Sequence, residues 1–188
     1  RLAGELGIYV HVGSTAIARA ISNALHLTNA PVVWTPLLSP APGDVAFVDS
    51  LFGDTIKALR PHLSVITPNA RELAFITGMP VRDLDEAEVA GRALATRLDA
   101  AVLVKGGHLG GEESIDILLH AGGREELRVA RVSGGEHVHG TGCALSSAIA
   151  AYLANARDLA SACRLAKEYV AARIAEPAQP GRGASAIV

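Results

Sequence analysis

A chain of 188 residues with 49% hydrophobic and 19% charged side chains has the length of one domain and material for a substantial core, which excludes a disordered or coiled-coil protein. With 17 Lys and Arg against 19 Asp and Glu, the formal net charge is −2, so there is no electrostatic footprint for nucleic acid or an anionic membrane. Charges break every strongly apolar stretch before the ~18 residues a membrane span needs, no basic-then-apolar leader opens the chain, and the two cysteines, Cys143 and Cys163, suggest no disulfide. A cytoplasmic protein of one domain over residues 1–188 is expected, with small molecules as its partners.

Ile8 to Val12 reads as a short strand, and Ser14 is placed to cap a helix from Thr15 to Leu27. Pro31 to Trp34 is a buried strand running into Thr35-Pro36 and a proline-rich loop, and a helix over Asp49–Leu59 stops at Pro61. Leu63 to Thr67 is a third strand. Pro68 suits the first turn of the helix that follows from Asn69 to Thr77, which Gly78 closes. The helix from Leu84 to Leu98 opens on an acidic turn and ends near Arg97, in accord with its dipole.

Ala101 to Lys105 is a continuous apolar strand meeting Gly106-Gly107. Ile115–His120 and Leu127–Val132 pair as an antiparallel hairpin across Ala121-Gly122-Gly123, and helices over Thr141–Ala156 and Asp158 to about Ile174 complete the chain. This order describes an α/β/α sandwich, mostly parallel with antiparallel edge strands. In such sheets ligands bind beyond the carboxyl ends of the strands. That rule converges Thr35, Asn69, Lys105 to His108 and the loop before the fifth helix on one place.

The loop Gly140-Thr141-Gly142-Cys143, opening a buried helix, offers free backbone N–H groups at the positive end of a dipole, as a phosphate requires. Read alone it is equally a capping turn with a small buried cysteine. Cys143 at a helix N-terminus is expected to have a lowered pKa and to act as a proton acceptor. Lys105, at a buried strand end before two glycines, is placed for nucleotide phosphates, against the alternative of a snorkelling lysine. Glu72 is by itself a first-turn acid favoured by the helix dipole.

The run His139-Gly140-Thr141-Gly142-Cys143-Ala144-Leu145-Ser146-Ser147-Ala148, with Ala166-Lys167-Glu168-Tyr169-Val170, resembles the hydroxymethylpyrimidine/phosphomethylpyrimidine kinase family of thiamine biosynthesis, in the ribokinase-like superfamily. Val104-Lys105-Gly106-Gly107-His108-Leu109 followed by Asp116-Ile117-Leu118-Leu119, and Ile66-Thr67-Pro68-Asn69 with Glu72, are similar to the same family, in order from about Gly13 to Gly183. The resemblance implies an ATP- and Mg²⁺-dependent kinase and a homodimer. Cys143 would be the catalytic residue, Gly140, Thr141, Gly142 and Lys105 the phosphate site, and Glu72 with Asn69 the metal side. Gly107, Val138, Lys167 and Val170 would lie along the nucleotide, and Gly181-Arg182-Gly183 resembles the family's glycine-rich C-terminal stretch.

Three departures accompany it. The family's N-terminal segment, with much of its pyrimidine pocket, has no counterpart ahead of Arg1. Thr35 stands where the family has an aspartate near the phosphates, a hydroxyl able to orient a water but without charge. His11 takes the place of a pocket methionine and is the expected substrate contact. Pyridoxal kinase, hydroxyethylthiazole kinase and a catalytically weak pyrimidine- or nucleotide-binding module are the alternatives.

Overall fold

The computed structural model describes residues 7–10, 12, 14–36, 49–107, 111–179 and 185–187. Within them lie six strands, β1 (Ile8–Val10), β2 (Val32–Trp34), β3 (Leu63–Ile66), β4 (Ala101–Val104), β5 (Glu113–His120) and β6 (Gly123–Ala130). The helices are α1 (Thr15–Leu25), α2 (Asp49–Leu59), α3 (Ala70–Thr77), α4 (Leu84–Leu98), α5 (Thr141–Ala154) and α6 (Leu159–Ala175), and a 3₁₀ turn links α2 to β3. The strands form one sheet in the order β1-β2-β3-β4-β5-β6. β1 to β4 pair in parallel, and β5 and β6 pair antiparallel. This is the mixed sheet expected from the sequence.

The central strands are apolar at every position but Ser64, whose hydroxyl accepts from Val32 N–H at 3.1 Å, because helices cover both faces. Val32, Trp34, Ile66, Val102 and Val104 point into one layer with Leu25, Leu59, Leu73, Leu94 and Leu98 from α1 to α4. Their alternating neighbours Val33, Val65, Ala101 and Leu103 point the other way, onto Leu145, Ile149, Cys163 and Ala166 of α5 and α6. Each fully buried aliphatic side chain contributes roughly 1.5–3 kcal/mol. The two layers therefore fix the register of the sheet, and with it where the strand ends meet.

Several boundaries differ from expectation for local reasons. Asn69 is the N-cap of α3, its side chain accepting from Glu72 N–H, so Pro68 precedes the helix instead of occupying its first turn. α1 ends at Leu25, with His26 as its C-cap and Leu27 89% exposed in the following turn. β6 starts at Gly123, four residues before the apolar signal of Leu127, because Arg124, Glu125 and Glu126 continue the ladder. Arg124 ion-pairs with Glu88 of α4 at 2.6 Å and also with Glu126, which keeps these charges half-exposed at the sheet edge. α5 ends at Ala154, after which Ala156 turns the chain with φ 56°.

Candidate active site

At the carboxyl ends of β2, β3 and β4 the structure opens a cleft of about 470 Å³. Its lining includes Asn69, Glu72, Lys105, Gly107, Val138 and Gly140 through Cys143, together with Lys167 and Val170 of α6. Every residue expected at the site on sequence grounds is thus brought together, apart from His11, which lies outside the described residues along with His108 and Gly181-Arg182-Gly183.

The start of α5 differs from the starts of α1, α3, α4 and α6. Those four are capped by Ser14, Asn69, Asp83 and Asp158 side chains. α5 begins on Gly140, at φ 85°, with no side-chain cap. Only a glycine takes that left-handed conformation without steric penalty, and the first intrahelical bond there is Ala144 N–H to the Gly140 carbonyl at 2.8 Å. The N–H groups of residues 140 to 143 precede that bond and have no acceptor within the helix. Cys143 is exposed and reduced. Behind the loop, His139 N–H donates to the Ser185 carbonyl at 2.8 Å and Ile187 N–H to the His139 carbonyl at 3.2 Å, so residues 185–187 brace its entry.

Lys105 reaches this loop from β4. A Cβ placed on Gly142 would stand 3.4 Å from Lys105 Nζ, so the glycine is what lets the ammonium approach the helix start. Nζ also lies 3.8 Å from Glu72 Oε2. Glu72 is held in turn by a reciprocal cap: its Oε2 accepts from Asn69 N–H at 2.7 Å, and its own N–H donates to Asn69 Oδ1 at 2.8 Å. Asn69 therefore serves here as the clamp on Glu72. Burial pushes the Glu72 carboxyl up against the opposing pull of Lys105 and the Asn69 N–H. Burial likewise pushes the Lys105 ammonium down, against Glu72, Asp116 and Cys143. Both charges are held at some expense of desolvation, the condition in which an incoming phosphate or cation is most strongly felt.

Sequence reasoning gave no role to four residues that shape the cleft. Asp116 is buried and accepts from Gly106 N–H at 2.9 Å while pairing with Lys167 Nζ at 2.8 Å, and Lys167 also donates to Ser114 Oγ at 3.3 Å. The Lys167 ammonium on the nucleotide-side wall is accordingly committed to Asp116, and the pair ties the turn after Lys105 to α6. The signal was present, since Asp116 is a lone charge among Ile115, Ile117, Leu118 and Leu119.

The hydroxyl oxygens of Ser146 and Thr67, both fully buried, lie 2.8 Å apart and 2.6 and 3.0 Å respectively from Thr35 Oγ1. Thr35, whose hydroxyl the sequence leaves able to orient a water, is a residue 1% exposed with that hydroxyl engaged by these two side chains. Tyr9 of β1 stands beside Cys143 and Thr35, and its hydroxyl is pushed up to about 12, first by burial and then by the neighbouring thiol. No motif pointed to Tyr9.

The phosphomethylpyrimidine kinase family model matches residues 11–188. The chain is 34% identical over 163 residues to hydroxymethylpyrimidine/phosphomethylpyrimidine kinase of Streptomyces coelicolor, covering 87% of this chain and 60% of that protein. It is 38% identical over 157 residues to the enzyme of the same name from Rhizobium meliloti, covering 82% and 58%. Among solved structures, phosphomethylpyrimidine kinase from Clostridium difficile superposes with a TM-score of 0.70 at 29% identity, over 89% of this chain and 68% of that one. Pyridoxal kinase from Staphylococcus aureus in complex with ADP gives a TM-score of 0.84 at 23% identity over 95% and 65%, a likeness of fold alone. The sandwich is therefore the ribokinase-like one, and the chain spans about 60% of the length of the two curated relatives. By its family match and its sequence identity, the chain belongs to the phosphomethylpyrimidine kinase family.

Proposed function

We propose that the protein transfers the γ-phosphate of ATP to the hydroxymethyl oxygen of 4-amino-5-hydroxymethyl-2-methylpyrimidine and then, in a second round, to the phosphate of the monophosphate. The observation that carries this reading is the convergence, in one cleft, of an uncapped helix start, the Lys105 ammonium and the clamped Glu72 carboxylate. Free N–H groups at a helix start bind phosphate oxygens and stabilise the charge that spreads over them during transfer. The hydroxymethyl oxygen attacks the γ-phosphorus in line as the bond to the ADP oxygen breaks. Cys143, exposed at the start of α5, takes the hydroxyl proton and later returns it to solvent.

Lys105 neutralises the nucleotide phosphates, and its neighbour Gly142 lets it do so without a side chain in the way. Glu72 fits a magnesium ion in chemistry, since Mg²⁺ takes one or two carboxylates plus water and phosphate oxygens in preference to a full protein cage. When bound there it would offset charge on the β- and γ-phosphates. Asn69 holds Glu72 in its rotamer for that task. The apolar wall of Val138, Val170, Ala171 and Ile174 suits the nucleotide base.

The homodimer that the resemblance implies, and the cytoplasmic location and single domain over residues 1–188 expected from composition, belong to the same proposal. A coupled ADP-release assay with hydroxymethylpyrimidine, pyridoxal and hydroxyethylthiazole in parallel tests it. Turnover is expected with the pyrimidine. Turnover with pyridoxal or the thiazole instead would reassign the substrate, and binding without turnover of any of the three would make the protein a binding module.

A further inference from the structure

The fully buried hydroxyls of Thr35, Thr67 and Ser146 sit between the ends of β2 and β3 and the first turns of α5, with oxygen separations of 3.0, 2.6 and 2.8 Å. Ser146 Oγ makes a fourth contact, donating to the Gly142 carbonyl at 3.2 Å. With its single proton on that carbonyl, the Ser146 oxygen accepts through its two lone pairs from Thr35 and Thr67 at the two shorter contacts, and the 3.0 Å Thr35–Thr67 approach then carries no proton of its own. Ser146 is thus a hub whose capacity is fully used. It anchors the helix to two strands.

The carbonyl it holds belongs to the peptide unit that also carries the Cys143 N–H. Because a peptide is planar, fixing the direction of the Gly142 C=O fixes the opposite direction of the Cys143 N–H. That N–H is one of the donors at the start of α5 that have no acceptor within the helix. An intrahelical bond alone leaves the peptide free to tilt, as helix carbonyls commonly do. A second bond to a rigidly tethered hydroxyl removes the tilt.

We infer that Ser146, with Thr35 and Thr67, is a positioning group for phosphoryl transfer: the hydroxyl knot aims the Cys143 N–H into the cleft through the Gly142–Cys143 peptide. On this account Thr35 has exchanged a charge near the phosphates for a bond that stiffens the loop receiving them. The inference extends the proposed kinase reading, yet its structural half stands without it.

The test uses Ser146→Ala and the hydroxyl-restoring Ser146→Thr in the full chain, with two readouts. The first is the amide ¹H–¹⁵N signal of Cys143 during titration with MgADP, which needs no turnover. The wild-type signal is expected to shift on titration, and the response should fall several-fold in Ser146→Ala and recover in Ser146→Thr. The second is the split between kcat and KM for ATP. Removing one pre-aimed donor from such a site lowers turnover by ~10²–10³, so mis-aiming one should lower kcat by about tenfold with KM changed less than about threefold. An unaltered Cys143 response in folded Ser146→Ala would overturn the inference, as would equal loss in both serine variants. A wild-type protein that responds at Cys143 but turns over no substrate would instead remove the kinase reading and leave the positioning role intact.

Discussion

Replacing Gly142 with alanine should move stability and turnover in opposite directions. Gly142 lies inside α5, with ordinary helical backbone and open space except toward Lys105, whose Nζ would be 3.4 Å from the new Cβ. Alanine in a compatible helical position stabilises by about 0.4–1 kcal/mol, largely by restricting the unfolded chain. For a protein of this size that corresponds to a Tm rise of about 1–4 °C. The contact itself is tight, and the flexible end of Lys105 must yield by a few tenths of an ångström. A misplacement of ~1 Å at a reacting centre costs ~10²-fold in rate, so kcat/KM for ATP is expected to fall by about tenfold. Differential scanning calorimetry and steady-state kinetics read the two effects. Gly140→Ala is the control: at φ 85° an alanine is strained by ~1–2 kcal/mol with nothing to collide with, so Tm falls by about 2–8 °C. A Gly142→Ala protein that loses stability, or one that keeps wild-type kcat/KM, would refute the reasoning that this glycine exists for the lysine's approach.

Cys143→Ala should lower turnover by well over ~10-fold while leaving MgADP affinity within about threefold by calorimetry, because the thiol is assigned to the hydroxyl proton and not to the nucleotide. Asp116→Asn removes one member of a buried ion pair and should destabilise by about 3–5 kcal/mol in urea unfolding; a loss under about 1 kcal/mol would mean that the pair is not buried as described. For Tyr9, the folded-state value is raised, so its phenol stays protonated until the pH approaches about 12. The ultraviolet titration component that disappears in Tyr9→Phe should be the one with that midpoint, and a component near 10 would contradict the burial of its hydroxyl.

The layered fold was legible because its signals are local and repeated. Apolar strands such as Ala101–Val104 can only be buried on both faces, and Ser14, Asp83 and Asp158 mark helix starts by the chemistry of their side chains. The phosphate half of the cleft was legible too, since Lys105, Glu72 and the loop at Gly140 each end or begin an element on the same edge of the sheet. What could not be read is what joins residues far apart in sequence. Thr35, legible as a strand-end residue beside the cleft, meets Ser146 across 111 positions, and nothing in the neighbourhoods of Thr67 and Ser146 marks them as its partners. The start of β6 was hidden for the opposite reason: Arg124, Glu125 and Glu126 look like loop residues until Glu88 of α4 supplies a partner across the sheet.

The most direct test of the central claim is product analysis by mass spectrometry after incubation with MgATP and hydroxymethylpyrimidine, for the wild-type chain and for Lys105→Met. The account predicts that the pyrimidine monophosphate appears first and the diphosphate after it, with one ADP formed per phosphate transferred, and that Lys105→Met slows both steps by at least ~10²-fold. ADP formed without a phosphorylated pyrimidine, or an undiminished yield from Lys105→Met, would contradict it.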